Sequence, residues 1–552
     1  MSITKNKIKI NIESILILLF IMFLSVISTM PAFTDGFFKF AMDGSIHFIR
    51  FESIAQAFKN DQLPSYVNFM GFGNIGEIFN SMYPWITAII FIIPRTVMRN
   101  PIHAMFVGFV ALNFLTIINT YLLTRCLTNK KSIRIFGVLI YQFNTYHLSD
   151  MYARNAMGES LAYAFLPLVF MGCYQIWHKR NKNGIISLAL GMGLVFNSHL
   201  ITAFFTTILI LIVEIIRLFF KRISRKEILS FIISSFTCIP VVLFSIINIA
   251  TVSLANHIRT PWKGMIPIDA WYALNSTISN IVSEDPHQHN IGIVCLFLMC
   301  SMLILSLKKE LTKFSPYIFG SWSLFILTLN WFSLPKFLTK SILGNLQFTC
   351  RLLPLSMILL TIGSVLIINN YSNIINIRLL ALLTSLIMAA LSYNSILNYH
   401  NTKNDGVIRY YVTKDNYLST ISEAYWGYED YALIDKNNKT VFKEILRHDP
   451  RFKIEKIEYN KIKISSNYTS KKNSEVPFMM YNSIPYNVSL NGKPIDIKRG
   501  TILKLDLRHR KNTIVIQSDA PKTNYFTFAV SLISIIILTS AMASYNRNLY
   551  QY

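Results

Sequence analysis

The chain has 552 residues, of which 52% are hydrophobic and only 15% charged, and its mean hydropathy is +0.41. Soluble proteins carry about 25% charged residues, so composition excludes an ordinary soluble globule and points to a polytopic membrane protein. Lys and Arg number 53 against 28 Asp and Glu, a net charge of +25. That excess fits either nucleic-acid binding or cationic cytoplasmic loops, and only the positions of the charges separate the two. The six cysteines lie in or beside apolar runs without a CxxC pair, which supports neither a zinc site nor a disulfide framework.

Lys5, Lys7 and Lys9 precede an apolar run from about Ile15 to Phe33. The run is long enough to span, and no small-residue cleavage site follows, so an uncleaved first helix with a cytoplasmic N-terminus is expected. Further spans are expected near 103–123, 133–148, 158–177, 184–198, 200–219, 228–252, 290–307, 315–333, 350–368, 377–397 and 524–545. A shorter apolar segment between Pro84 and Pro94 reads as re-entrant or interfacial. With that assignment every basic cluster, such as Arg125/Lys130/Lys131/Arg134 and Lys308/Lys309/Lys313, falls on the cytoplasmic side. The expectation is twelve crossings with both termini inside, which leaves no role for nucleic acid.

The outer face then receives a large first loop, 34–102, and a polar block, 398–522, with 22 basic and 14 acidic residues. The second half of the block alternates in a strand-like way through KIKISSN, YNVSLNG, TILKLDL and NTIVIQS, with a hairpin signal at Asn491-Gly492. A β-sandwich-like extracytoplasmic domain is expected there, followed by a last helix and a short cytoplasmic tail at 523–552.

Ionisable residues at membrane depth are costly and therefore functional candidates. Five polar clusters collect on the outer side. They are Asp35, Asp43, His47 and Arg50; His147, Asp150, Arg154 and Glu159; Asn197-Ser198-His199; Arg351; and Glu284, Asp285, His287 and His289. Asp43, His47 and Arg50 would share one helix face. Each candidate also has a plainer reading. Asp43 could cap a helix, Arg154 and Glu159 could be a structural ion pair, His199 a turn residue, and Arg351 could reach lipid headgroups. His287 and His289 could bind a metal, but their loop lacks a fixed frame. Convergence of the clusters on one side favours function.

The early Asp in a large outer loop, followed by Tyr83-Pro84 before a weak helix, resembles the fold-C (GT-C) glycosyltransferases. The stretch from Met42 to Trp85 is similar to the first loop of YfhO-like bacterial membrane proteins. YARNAMGESLAYAFLPL, FNSHLITA and LQFTCRLLPL resemble the branch labelled pyruvoyl-tetrahydropterin-synthase-related, although no soluble zinc-histidine module is visible. VPFMMYNSIPYNVSLNGKPI resembles the family's outer β domain. The likeness covers most of the chain. One departure is Thr349-Cys350, where the family often has Pro-Trp before the arginine.

The resemblance implies a bacterial cell-membrane enzyme that moves a sugar from a polyprenyl-phosphate carrier to a cell-envelope glycopolymer, such as a teichoic acid or exopolysaccharide, with inversion. Asp43 matches the family's first-loop acid and is the candidate base. Arg154 and Arg351 are candidate phosphate ligands, while His47, Arg50 and His199 are candidates for substrate binding. Glu159 would position Arg154 or act as a second acid. No cofactor beyond the lipid-phosphate sugar donor is required, and a divalent metal would be compatible. The competing readings are a lipid-linked glycan transporter or flippase, and a non-catalytic envelope polysaccharide assembly protein.

Overall fold

The computed structural model describes residues 12–41, 43–331, 335–371, 375–402, 410–423, 430–442 and 449–548. The cationic segment with Lys5, Lys7 and Lys9 lies outside the described residues. The chain is mostly helical. Its main helices are α1 (Ile12–Thr29), α2 (Gly44–Lys59), α3 (Ile89–Val97), α4 (Pro101–Leu127), α5 (Lys131–Gln142), α6 (Met157–Trp177) and α7 (Asn181–Phe196). They continue with α8 (Leu200–Phe219), α9 (Arg225–Ser253), α10 (Ile293–Ser306), α11 (Ser315–Thr328), α12 (Leu353–Asn370), α13 (Ile375–Asn401) and α14 (Lys522–Asn548).

Among the described residues, seven helical segments are long and apolar enough to cross a membrane: Ile15–Ala32, Pro101–Leu127, Met157–Trp177, Leu200–Phe219, Arg225–Ser253, Thr349–Asn370 and Lys522–Ser544. The other five expected spans are also helical, but α5, α7, α10 and α11 have only 12, 16, 14 and 14 residues. At about 1.5 Å per residue such helices fall short of a hydrocarbon core of about 30 Å. The apolar segment before residue 100 forms two short helices, Ile86–Ala88 and α3.

Two helices are far more enclosed than the rest. In α6 and α12, 89% of the apolar window is buried inside the protein, against 11–56% for the other membrane-length helices. Glycines allow α7 to approach α6 closely. A Cβ on Gly172 would stand 2.5 Å from the Leu188 backbone nitrogen, and one on Gly191 would stand 2.6 Å from that of Val169. Small residues at such a crossing let backbones meet where no hydrophobic drive separates protein from lipid.

The first loop is a packed unit. Phe51 stacks on Phe91, and Phe91 meets Phe109 edge-on, joining α2, α3 and α4. Glu52 is fully buried and accepts two hydrogen bonds from Arg95, at 2.6 and 3.1 Å. Phe38–Phe40 pairs antiparallel with Tyr410–Val412. Between them the buried Lys39 ammonium donates to the carbonyls of Tyr399 and Thr402, at 2.5 and 2.7 Å, at the C-terminal end of α13.

The polar block holds a five-stranded sheet and a two-stranded partner. The larger sheet runs, in spatial order, Phe452–Glu458, Lys461–Ser466, Asn512–Gln517, Asn487–Leu490, Lys493–Pro494. Thr501–Leu507 pairs with Ser470–Met480. Asn491 and Gly492, both at positive φ (52° and 81°), close the expected hairpin. Burial alternates along Lys461–Ser466 and Asn512–Gln517, so Ile462, Ile464, Ile514 and Ile516 face a core shared with Val476, Phe478 and Leu505. The described strands of this unit begin at Phe452, later than the expected boundary near residue 398. The earlier strand, Tyr410–Val412, belongs to the first loop's packing.

The same core admits the first loop. Val67, Phe69, Ile75 and Ile78 are buried in it, Phe69 lies 5.5 Å from Phe478, and the Met479 amide donates to the Ile75 carbonyl. Arg95→Met should leave the buried Glu52 carboxylate without its counter-ion, although the Gln56 amide still donates to it at 2.7 Å, and cost about 3–5 kcal/mol. Adding Glu52→Gln to that variant should recover much of the loss, as read by thermal unfolding in detergent.

Candidate functional site

The ends of α6 and α12 meet at Glu159, in the first turn of α6. Its carboxylate takes both terminal nitrogens of Arg154, at 3.0 and 3.1 Å, and the Nε of Arg351, at 2.7 Å. One carboxylate therefore aligns two guanidiniums through charge-assisted bonds. Arg351 is further fixed through Nη1, which donates to the Leu346 carbonyl at 3.0 Å and to Gln347 Oε1 at 2.6 Å. Gln347 adopts φ +61°, a strained conformation for a non-glycine residue. Both guanidiniums lie against the Phe348 ring, 5.2 and 5.4 Å from its centre.

Arg154 also faces Asp150 Oδ1 at 3.8 Å and Asp43 Oδ2 at 3.7 Å. Asp150 is held by the Ser160 hydroxyl at 2.9 Å. Asp43 is different: its side chain is 33% exposed, whereas those of Arg154 and Glu159 are 3% and 6% exposed. It occupies the N-cap position of α2 without making a side-chain capping bond. A helix cap is therefore not what its carboxylate does. Burial in the cluster wall raises its carboxyl above the ordinary value, against the pull of Arg154.

Backbone contacts fix Asp43. Its amide donates to the Arg154 carbonyl at 3.2 Å. The neighbouring Asn155, at φ +57°, accepts from the Ala41 amide at 2.8 Å, and its Oδ1 lies 2.8 Å from where a Cβ on Gly44 would stand. Sequence reasoning missed Asn155, Gln347 and Phe348. The signal for Asn155 was its place directly after Arg154, since Asn tolerates the left-handed region.

His47 and Arg50 follow Asp43 on α2, as the spacing predicts, but they turn to Tyr83. Arg50 donates to Asn80 Oδ1 at 3.2 Å and to the Tyr83 carbonyl at 2.7 Å, and its guanidinium lies 4.5 Å from the Tyr83 ring centre. His47 meets the same ring edge-on at 5.4 Å, and burial with Arg50 nearby pushes its imidazole well below the usual range. The Tyr83 hydroxyl lies over Gly158, where a Cβ would stand 2.1 Å from it. Arg50 thus supports Tyr83 and makes no ion pair with the carboxylate cluster. His199 caps α8, its Nδ1 accepting from the Thr202 amide at 3.3 Å, and its ring lies 6.0 Å from Tyr83. The turn reading therefore describes its local bonding, and its ring still borders the site.

The fifth cluster is separate in role. His287 Nδ1 lies 3.1 Å from the Pro267 carbonyl, while Asp285 caps its own turn. His289 Nε2 lies 3.2 Å from the Ser283 carbonyl, and its ring meets Tyr146 edge-on. Among the described residues no group of three or more His, Cys, Asp or Glu side chains is placed to hold a metal.

Asp43, the Arg154–Glu159 segment and Arg351 thus come together from three places in the chain, ringed by Tyr83, His47, His199 and Phe348. No protein-family model matches the chain, and no curated protein matches it.

Removing the shared carboxylate should unfold the site, whereas removing the exposed one should not. Glu159→Gln should cost about 3–5 kcal/mol because buried Arg351 loses its carboxylate partner and Arg154 the nearest of its three. Asp43→Asn should change stability by about 1 kcal/mol or less, as for a partly exposed pair. Thermal unfolding of the two purified variants checks the contrast.

Proposed function

We propose that the protein is a bacterial membrane glycosyltransferase that moves a sugar from a polyprenyl-phosphate carrier to an envelope glycopolymer. The observation that carries this reading is a partly exposed carboxylate, Asp43, 3.7 Å from a guanidinium that Glu159 aligns with a second one. A base beside a cationic pair is what transfer from an anionic leaving group requires.

In this reading the chain crosses the membrane twelve times, the four short helices being accommodated by local thinning of the bilayer, both termini are cytoplasmic, and the site and the β domain lie outside. The acceptor hydroxyl gives its proton to the Asp43 carboxylate. Its oxygen bonds to the anomeric carbon as the bond from that carbon to the phosphate oxygen breaks, and the sugar inverts. The departing polyprenyl phosphate takes up the negative charge, and Arg351 and Arg154 hold it. Glu159 acts as a positioning residue for both arginines, because its two oxygens are already engaged by them. Tyr83, His47 and His199 form the wall against which the sugars are oriented, and Arg50 supports that wall through Tyr83.

Asp43→Asn should lower sugar transfer in proteoliposomes by about 10²–10⁴-fold, the usual worth of a general base, while leaving membrane insertion intact. Full transfer by that variant would remove Asp43 from the reaction. In the wild type the acid limb of the pH–rate profile should lie above the value of an unperturbed aspartate. Transfer needs ionised Asp43, whose carboxyl is raised, so the rate falls as pH drops through that raised value. Mass spectrometry of envelope glycans from wild-type and deletion cells would identify the sugar and the polymer, and unchanged glycans would overturn the transferase reading.

A further inference from the structure

A second site lies at the opposite end of α1 from the first loop. There α1 stands away from α4 and α5 and leaves a groove of about 200 Å³. Leu16, Phe20 and Leu24 form one wall, and Ile117, Ile135 and Val138 form the other. Leu16 and Phe20 are 60% and 41% exposed, so the groove opens sideways on a helix that is itself apolar enough to span. At membrane depth such a groove meets lipid tails rather than water.

Its rim is polar and mostly cationic. Lys131 lines the groove and pairs with Glu13 across it, and both side chains are about half exposed, at 59% and 48%. Tyr121 also lines the groove. The Arg134 guanidinium stands 5.9 Å from the Tyr121 ring centre, donates to the Tyr121 hydroxyl at 3.4 Å, and is braced by the Thr128 carbonyl at 2.9 Å. Lys131 and Glu13 balance in the lining itself, and Arg134, held against the lining Tyr121, makes this end net positive. An apolar groove with two cations near its end is complementary to a lipid whose head carries a net negative phosphate.

We propose that this groove binds an anionic phospholipid, with one acyl chain between α1 and the α4–α5 pair and the phosphate at Lys131 and Arg134. The site is remote from Asp43 and Arg154 in the fold and does not depend on the transferase reading. Lipid held there bridges α1, whose window is only 33% buried, to the more enclosed helices behind it.

Native mass spectrometry of the full-length protein in detergent tests this, with phosphatidylglycerol and phosphatidylcholine of the same chain length as probes. The wild type should retain one phosphatidylglycerol roughly tenfold more strongly than phosphatidylcholine, the scale expected of two cations near a headgroup. Lys131→Ala/Arg134→Ala should bring the two lipids to parity. Leu16→Trp, a change at an exposed position that fills the slot, should reduce retention of both. Equal retention of the two lipids by the wild type would overturn the proposal without recourse to any variant. So would an unchanged preference in the double variant, or unchanged retention in Leu16→Trp.

Discussion

The shared carboxylate of Glu159 is the constraint on which the site depends. Two guanidiniums with less than a tenth of their side-chain surface exposed would repel each other and lose their hydration. Glu159 offsets both costs from the first turn of α6, where a helix N-terminus also favours an anion. α6 and α12 are the two most enclosed of the membrane-length helices, and each is placed mainly by other helices, α6 by α7 and α4, and α12 by α11 and α5. The ion triad therefore fixes a geometry at the helix ends that neither residue pair could hold alone.

That geometry reaches the exposed carboxylate through backbone. Arg154 spends its side chain on Glu159 and its carbonyl on the Asp43 amide, and Asn155 spends its side chain on Ala41. The first loop is held from its other side by the β domain, whose core takes Val67, Phe69, Ile75 and Ile78. Lys39 ties the same loop to the end of α13. The β domain is thus part of what holds the first loop, and with it α2, in place.

The helices and strands were legible because their signals are local. Long apolar runs, alternation in KIKISS and NTIVIQ, and Asn491-Gly492 each specify an element within a few residues. The grouping of Asp43, Arg154, Glu159 and Arg351 was legible as a consequence of cost, since charges at membrane depth need a reason. Partner choice was not. Arg50 lies on the same helix face as Asp43 and carries the same kind of charge as Arg154, yet it supports Tyr83. That difference comes from the Tyr83 and Asn80 oxygens, which the fold brings to it from a later part of the loop. Gln347 and Phe348 were invisible for a similar reason. Their role rests on a strained backbone and on two arginines from different helix ends.

Thr349 and Cys350, where a Pro-Trp pair was the pattern of comparison, raised the question of how Arg351 is packed. The Thr349 hydroxyl donates to the Thr328 carbonyl at 2.6 Å, at the end of α11, and lies 3.3 Å from the Ile266 carbonyl. Cys350 is buried. The turn before α12 is thereby pinned by hydrogen bonds to α11 and to the Met265–Ile266 strand, which pairs with Gln347–Phe348. A rigid proline is unnecessary where a hydroxyl closes the same turn. The guanidinium is then carried by the turn's own geometry, with Gln347 and the Leu346 carbonyl on one side and Glu159 on the other. In the proposed reaction a phosphate arriving at Arg351 need not dislodge that frame. It has only to share a guanidinium that the protein already holds in place.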